Sequence, residues 1–115
     1  MKRFSLVALV IGFITVFSYC SSSRKAAVKV PLLTYEANVQ QLVTDKCSPC
    51  HIPAKGGNKL ALDNFEAVKA NIDPIIDRIH RMPGEKGFMP FKRPKLSDSA
   101  IAVFSQWKTD GMLAK

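Results

Sequence analysis

Apolar positions fall into one dense block near the start of the chain and then into short, spaced sets. Phe4 to Phe17 form an almost unbroken apolar run, preceded by Lys2 and Arg3 and followed by Ser18, Tyr19 and Cys20. A short positive start before such a run reads as a signal peptide over residues 1–19. An uncleaved membrane anchor is the competing reading, but the block is short against the roughly 20 apolar residues a spanning helix needs. Residues 21–33 open on three serines, contain lysines and show no periodicity, as a tether would.

From Thr34 onward the spacing becomes helical. Tyr35, Val39, Leu42 and Val43 share one face, with Thr34 as N-cap and Glu36 in the first turn. This helix is expected to run into Cys47. Pro49, Pro53 and Lys55-Gly56-Gly57-Asn58 mark a loop. Phe65, Val68 and Ile72 predict a shorter helix after Asp63. Asp73-Pro74 predicts the start of another, with Asp73 as N-cap, Pro74 at the first helical position and Ile75, Ile76 and Ile79 as its apolar stripe. Pro83 to Lys95 holds three prolines and two glycines and reads as an irregular loop. Ser97 then caps a last helix whose buried face is Ala100, Ile101, Phe104 and Trp107, with Gly111 as its stop. No segment alternates as a strand would. The fold class is all-α: three to five short helices in one domain over residues 34–115.

Size and cysteine content sharpen this picture. A chain of 115 residues has room for one compact domain, and a core that small commonly needs a staple. Removing residues 1–19 takes away Lys2 and Arg3 and lowers the net charge from +8 to +6. The three cysteines are Cys20, Cys47 and Cys50. A disulfide between Cys47 and Cys50 would close too small a loop to stabilise much, so the staple is expected to be something else.

The candidate is Cys47-Ser48-Pro49-Cys50-His51. Two thiols at this spacing can add to the two vinyl groups of one heme, which places the following histidine under the iron as an axial ligand. Two other chemistries use similar residues. A thiol–disulfide oxidoreductase also carries Cys-x-x-Cys, normally in a βαβ setting at a helix N-terminus that lowers a thiol pKa; here the pair follows a helix. A zinc site would need two further ligands, and beside His51 the chain offers only His80 among histidines. The motif therefore points to one covalent heme c on Cys47 and Cys50.

The span from Thr34 to Gly111 resembles the class I cytochrome c family, in particular the compact single-heme domains of bacterial periplasmic electron transport. The resemblance rests on the helix leading into Cys47-Ser48-Pro49-Cys50-His51, on Gly87-Phe88-Met89-Pro90, and on Leu96-Ser97-Asp98 opening a last helix that contains Trp107. It implies crossed terminal helices, a methionine from the Met-Pro loop as sixth iron ligand, and single-electron transfer without bond making. Cys20-Ser21-Ser22-Ser23 resembles the lipidation site of a bacterial lipoprotein, departing from it in Tyr19 before the cysteine and Phe17 three residues before it. An exported domain, lipid-anchored through Cys20 on the periplasmic side, is the implied location.

Met82, Met89, Met112 and His80 are the candidates for the second axial position. Met82 and Met89 both precede proline, so position must separate them. Met89 lies inside the long loop, seven residues before Leu96, at the spacing the family shows. Met82 ends the helix of Ile75, Ile76 and Ile79, where a thioether more often fills a core gap. Met112 lies past the last helix, and His80 is favourable at a helix C-terminus through the dipole alone. Met89 is the expected ligand. The carbonyl that orients His51 is expected from the loop Ile52 to Lys59. Phe65, Phe88, Phe91, Phe104 and Trp107 are expected to wall the heme or form the core.

Lys86, Lys92, Arg93 and Lys95 crowd the loop around Met89, and Lys55 and Lys59 follow the motif. Such a patch either steers encounter with an acidic redox partner or simply keeps the domain soluble; nucleic acid is not an expected partner. Two other functions stay open beside the electron carrier: a gas- or peroxide-reactive heme with a labile sixth ligand, and the thiol oxidoreductase. Electron exchange with an acidic redox protein, followed by stopped-flow absorbance, is expected to slow as ionic strength rises. Salt-independent rates would discard the steering.

Overall fold

The computed structural model describes residues 30–115. The expected signal peptide, Cys20 and most of the tether lie outside the described residues. Pro31–Lys115 form one compact unit, in which Leu33 already takes part: its amide donates to the Asp110 carboxylate at 2.8 Å and its side chain packs on the core.

Thr34 is extended and its hydroxyl accepts from the Ala37 amide, opening a π-helical turn at Tyr35–Val39 that continues into α1, Gln40–Lys46. Tyr35, Val39 and Val43 are buried along it. A short 3-10 turn at Pro53–Lys55 lies in the expected loop. Helix α2, Phe65–Ala70, is capped by Asn64, whose side chain accepts from the Ala67 amide at 2.9 Å.

Helix α3, Ile72–His80, starts one residue before the expected cap. Asn71 ends α2 and begins α3 at once, its carbonyl accepting from the Ile75 amide at 3.0 Å. Asp73 is thus a first-turn residue that pairs with Lys108 on the last helix. Pro74 sits within the first turn, where its missing N–H removes a donor that has no intrahelical partner anyway. The buried Ile72 draws the helix start upstream.

Residues 81–97 hold turns but no helix or strand, as the prolines predict. Ser97 caps α4, Asp98–Thr109, by accepting from the Ala100 amide, and Ile101, Phe104 and Trp107 are its buried residues. Gly111 ends the helical course at φ 92°, a left-handed conformation that glycine adopts without a Cβ penalty. The described residues are thus all-α, with four α-helices and no strand beyond a single parallel bridge between Thr34 and Leu113. Among them no helix is long and apolar enough to cross a membrane.

α4 packs on the opening π-helical turn and on α3. Trp107, fully buried, stands 6.0 Å from the Tyr35 ring and 6.2 Å from Phe65, while Tyr35 and Phe65 meet edge-on at 5.6 Å. Its indole N–H donates to the Leu113 carbonyl at 2.9 Å, and the same carbonyl accepts from the Tyr35 amide at 2.8 Å. Trp107→Ala removes this hub. It is expected to lower unfolding stability by about 3–5 kcal/mol, a large share of the roughly 5–15 kcal/mol a domain has. A shifted denaturant midpoint at unchanged slope would show it.

Candidate functional site

α1 ends at the cysteine pair. Cys47 is its C-cap residue, with the amide donating to the Val43 carbonyl at 2.9 Å, and the Ser48 hydroxyl reaches back to the Thr44 carbonyl at 2.5 Å. The turn continues as the His51 amide bonds the Cys47 carbonyl at 3.0 Å. The chain then folds over the motif: the Lys59 amide donates to the Cys50 carbonyl at 3.1 Å and the Leu62 amide to the His51 carbonyl at 2.9 Å. This return brings the Leu60 carbonyl to 2.7 Å from His51 Nδ1. The orienting carbonyl therefore lies one residue beyond the expected loop Ile52 to Lys59. With Nδ1 as the donor in that bond, Nε2 is left with its lone pair available to a metal.

Gly57 makes the fold-over possible. Its amide donates to the Ile52 carbonyl at 3.1 Å. A Cβ at this position would collide with the Pro49 carbonyl oxygen and stand 2.6 Å from that of Cys50, both backbone atoms that cannot turn aside.

Cys47, Cys50, His51 and Met89 line one cleft of about 450 Å³. Its inner wall is apolar, built from Leu62, Ile75, Ile79, Leu96 and Phe104, of which all but Ile75 are buried. Met89 arrives from the 81–97 loop, where its amide donates to the Arg78 carbonyl on α3 at 3.1 Å. Lys46, Lys59, Arg78 and Arg93 add positive charge to the lining.

The other candidate ligands are elsewhere. Met82 does not line the cleft and is 57% exposed, so it fills no core gap; its sulfur instead accepts from Lys95 Nζ at 3.4 Å. Exposed His80 bonds the Ile76 carbonyl at 2.8 Å within its own helix, and Met112 packs against the core. Of the five aromatic residues expected at the site, Phe104 and the 67%-exposed Phe91 line the cleft. Phe65 and Trp107 belong to the cluster with Tyr35, and Phe88 is buried outside the cleft lining.

Cys47 is half-buried and Cys50 exposed. Burial pushes the Cys47 thiol up to about 11, an effect that nearby Arg93 partly offsets. Its place at the C-terminal end of α1 also disfavours a thiolate, because the helix dipole is negative there. A disulfide oxidoreductase needs the opposite. Among the described residues no three His, Cys, Asp or Glu side chains converge on one point. A flat, largely apolar macrocycle would find here two thiols for covalent attachment, a nitrogen and a thioether for a metal, and hydrocarbon to pack against.

No protein-family model, curated protein or solved structure matches the chain.

Gly57→Ala is expected to cost more than about 3 kcal/mol, since the backbone of the motif must move. Gly56→Ala, which meets nothing within 4 Å and carries only the strain of φ 82°, is expected to cost about 1–2 kcal/mol. Urea unfolding of the two variants checks the order.

Proposed function

We propose that residues 34–115 form a class I c-type cytochrome domain, a single-electron carrier with one heme c bound through Cys47 and Cys50. The observation that supports this most is the convergence of both thiols, His51 and Met89 on one apolar cleft, from segments some 40 residues apart in sequence. The heme, when bound, supplies an iron that changes its charge by one electron.

Everything else falls to the polypeptide. Cys47 and Cys50 would hold the group by thioether bonds. His51, oriented through Nδ1 by the Leu60 carbonyl, would offer Nε2 to the iron. Met89, held through its amide by the Arg78 carbonyl, would offer its sulfur to the same iron. A thioether favours the reduced metal and so raises the potential relative to a second imidazole. Leu62, Ile79, Leu96 and Phe104 exclude water, which limits the reorganisation that accompanies a change of charge. With His51 and Met89 both given to the iron, no position would be left for a substrate, which suits a carrier. The positive cleft lining suits an acidic redox partner, and the signal-like start with Cys20 supports an exported carrier on the periplasmic side with a lipid anchor.

Heme staining on a denaturing gel, read with the reduced-minus-oxidised spectrum, tests the proposal. The mature protein is expected to keep heme on the denatured band, and reduced protein is expected to resist carbon monoxide. Met89→Ala is expected to keep the covalent heme, lower the potential and bind carbon monoxide readily. Colourless protein of polypeptide mass would overturn the assignment. Fast, tight carbon monoxide binding by the parent would move it to the gas-reactive alternative.

A further inference from the structure

The loop that carries Met89 is fastened from both sides, and the two fastenings are of different kinds. Ahead of the loop tip, the Met89 amide bonds the Arg78 carbonyl on α3. Behind it, a tight turn brings the Arg93 amide to the Pro90 carbonyl at 3.2 Å, with Lys92 in the left-handed region at φ 57°. That turn aims the Arg93 side chain across to the cysteine segment, where Nη1 donates to the Ser48 carbonyl at 3.1 Å and lies 3.5 Å from the Lys46 carbonyl. Ser48 stands between the two attachment cysteines, and Lys46 is the last residue of α1.

A guanidinium suits this place for two reasons. The final carbonyls of α1 lack intrahelical donors and carry the negative end of its dipole. A planar group with several N–H donors can also hold one carbonyl while sharing a second, which a lysine ammonium does with less fixed geometry. Arg93 is therefore the side chain that links the thioether-bearing loop directly to the heme-attachment turn.

We propose that Arg93 is a positioning residue that holds Met89 on the iron, an inference that rests on the heme reading given above. The rigid partner is the cysteine turn, to which the heme is covalently joined. The loop is the part that can lift. Releasing Arg93 leaves Met89 tethered through its own amide but lets Pro90, Phe91 and Lys92 rise, so the sulfur leaves the iron more often. The Arg93 contact thus sets how closed the sixth position is, and with it the balance between electron transfer and reactivity toward small external ligands.

The test uses ferric holoprotein and imidazole as the external ligand, followed by stopped-flow in the heme absorption. Met89 must leave before imidazole binds. Arg93→Ala is expected to speed imidazole binding about three- to tenfold, the factor carried by one hydrogen bond of ordinary net strength. Arg93→Lys keeps a charged donor and is expected to fall between this variant and the parent. Lys92→Ala removes a neighbouring charge that rests over the Phe91 ring at 5.3 Å, and is expected to match the parent.

An unchanged rate in Arg93→Ala overturns the proposal. So does an equal acceleration in Lys92→Ala, which would mark a general charge effect, or a lowered unfolding midpoint with no change in imidazole binding, which would mark a purely structural contact. If Arg93→Ala does not fold, Arg93→Gln decides in the same way, acceleration supporting the role and parental rates removing it. A parent without covalent heme is seen on the gel before imidazole is added, and that result overturns the heme reading itself.

Discussion

The enclosure of Trp107 is the constraint from which the site is built. Its ring packs beside Tyr35 and Phe65, and its N–H shares the Leu113 carbonyl with the Tyr35 amide. Chain segments from both ends of the compact unit are thereby joined at one buried point. The opening helical turn is fixed against α4, and α1 continues from it in a set direction. Cys47 lies at the far end of α1, so the placing of the cysteine turn follows from the aromatic hub. Phe104, one helical turn before Trp107, contributes both to that core and to the cleft wall.

The cleft itself is assembled from short polar contacts laid over an apolar lining. Leu60 turns His51, Arg78 holds Met89, and Arg93 ties the Met89 loop to Ser48. All three contacts use a backbone carbonyl as acceptor; in two the bonded nitrogen belongs to a proposed ligand residue, and the third joins two ligand-bearing segments. Direction comes from these hydrogen bonds, which have strict geometry. Exclusion of water comes from Leu62, Ile79, Leu96 and Phe104, whose burial has no preferred direction.

Local signals carried most of the element boundaries. Thr34, Asn64 and Ser97 each accept from a backbone amide three residues on, and such caps are visible in sequence because a few side chains do this job. The start of α3 shows where local reasoning fails. Asp73-Pro74 is a good start by itself, but Asn71 and the buried Ile72 supply an earlier one, and Asp73 is used by Lys108 from another helix. Met82 is a similar case. Its position at a helix end suggested core packing, whereas the chain turns it outward toward Lys95.

The candidate motif was open to reading because Cys47, Cys50 and His51 fall within five residues, and a pattern this local needs no distant residue to be recognised. The all-α class was open for a related reason, since helical periodicity repeats within a few residues. What tertiary structure alone decided is what crosses the chain: that the Leu60 carbonyl faces His51, that Gly57 must lack a side chain, and that Arg93 reaches Ser48. Carbonyls are the same at every residue and close approach depends on distant backbone, so neither leaves a mark in the order of amino acids until the chain has folded.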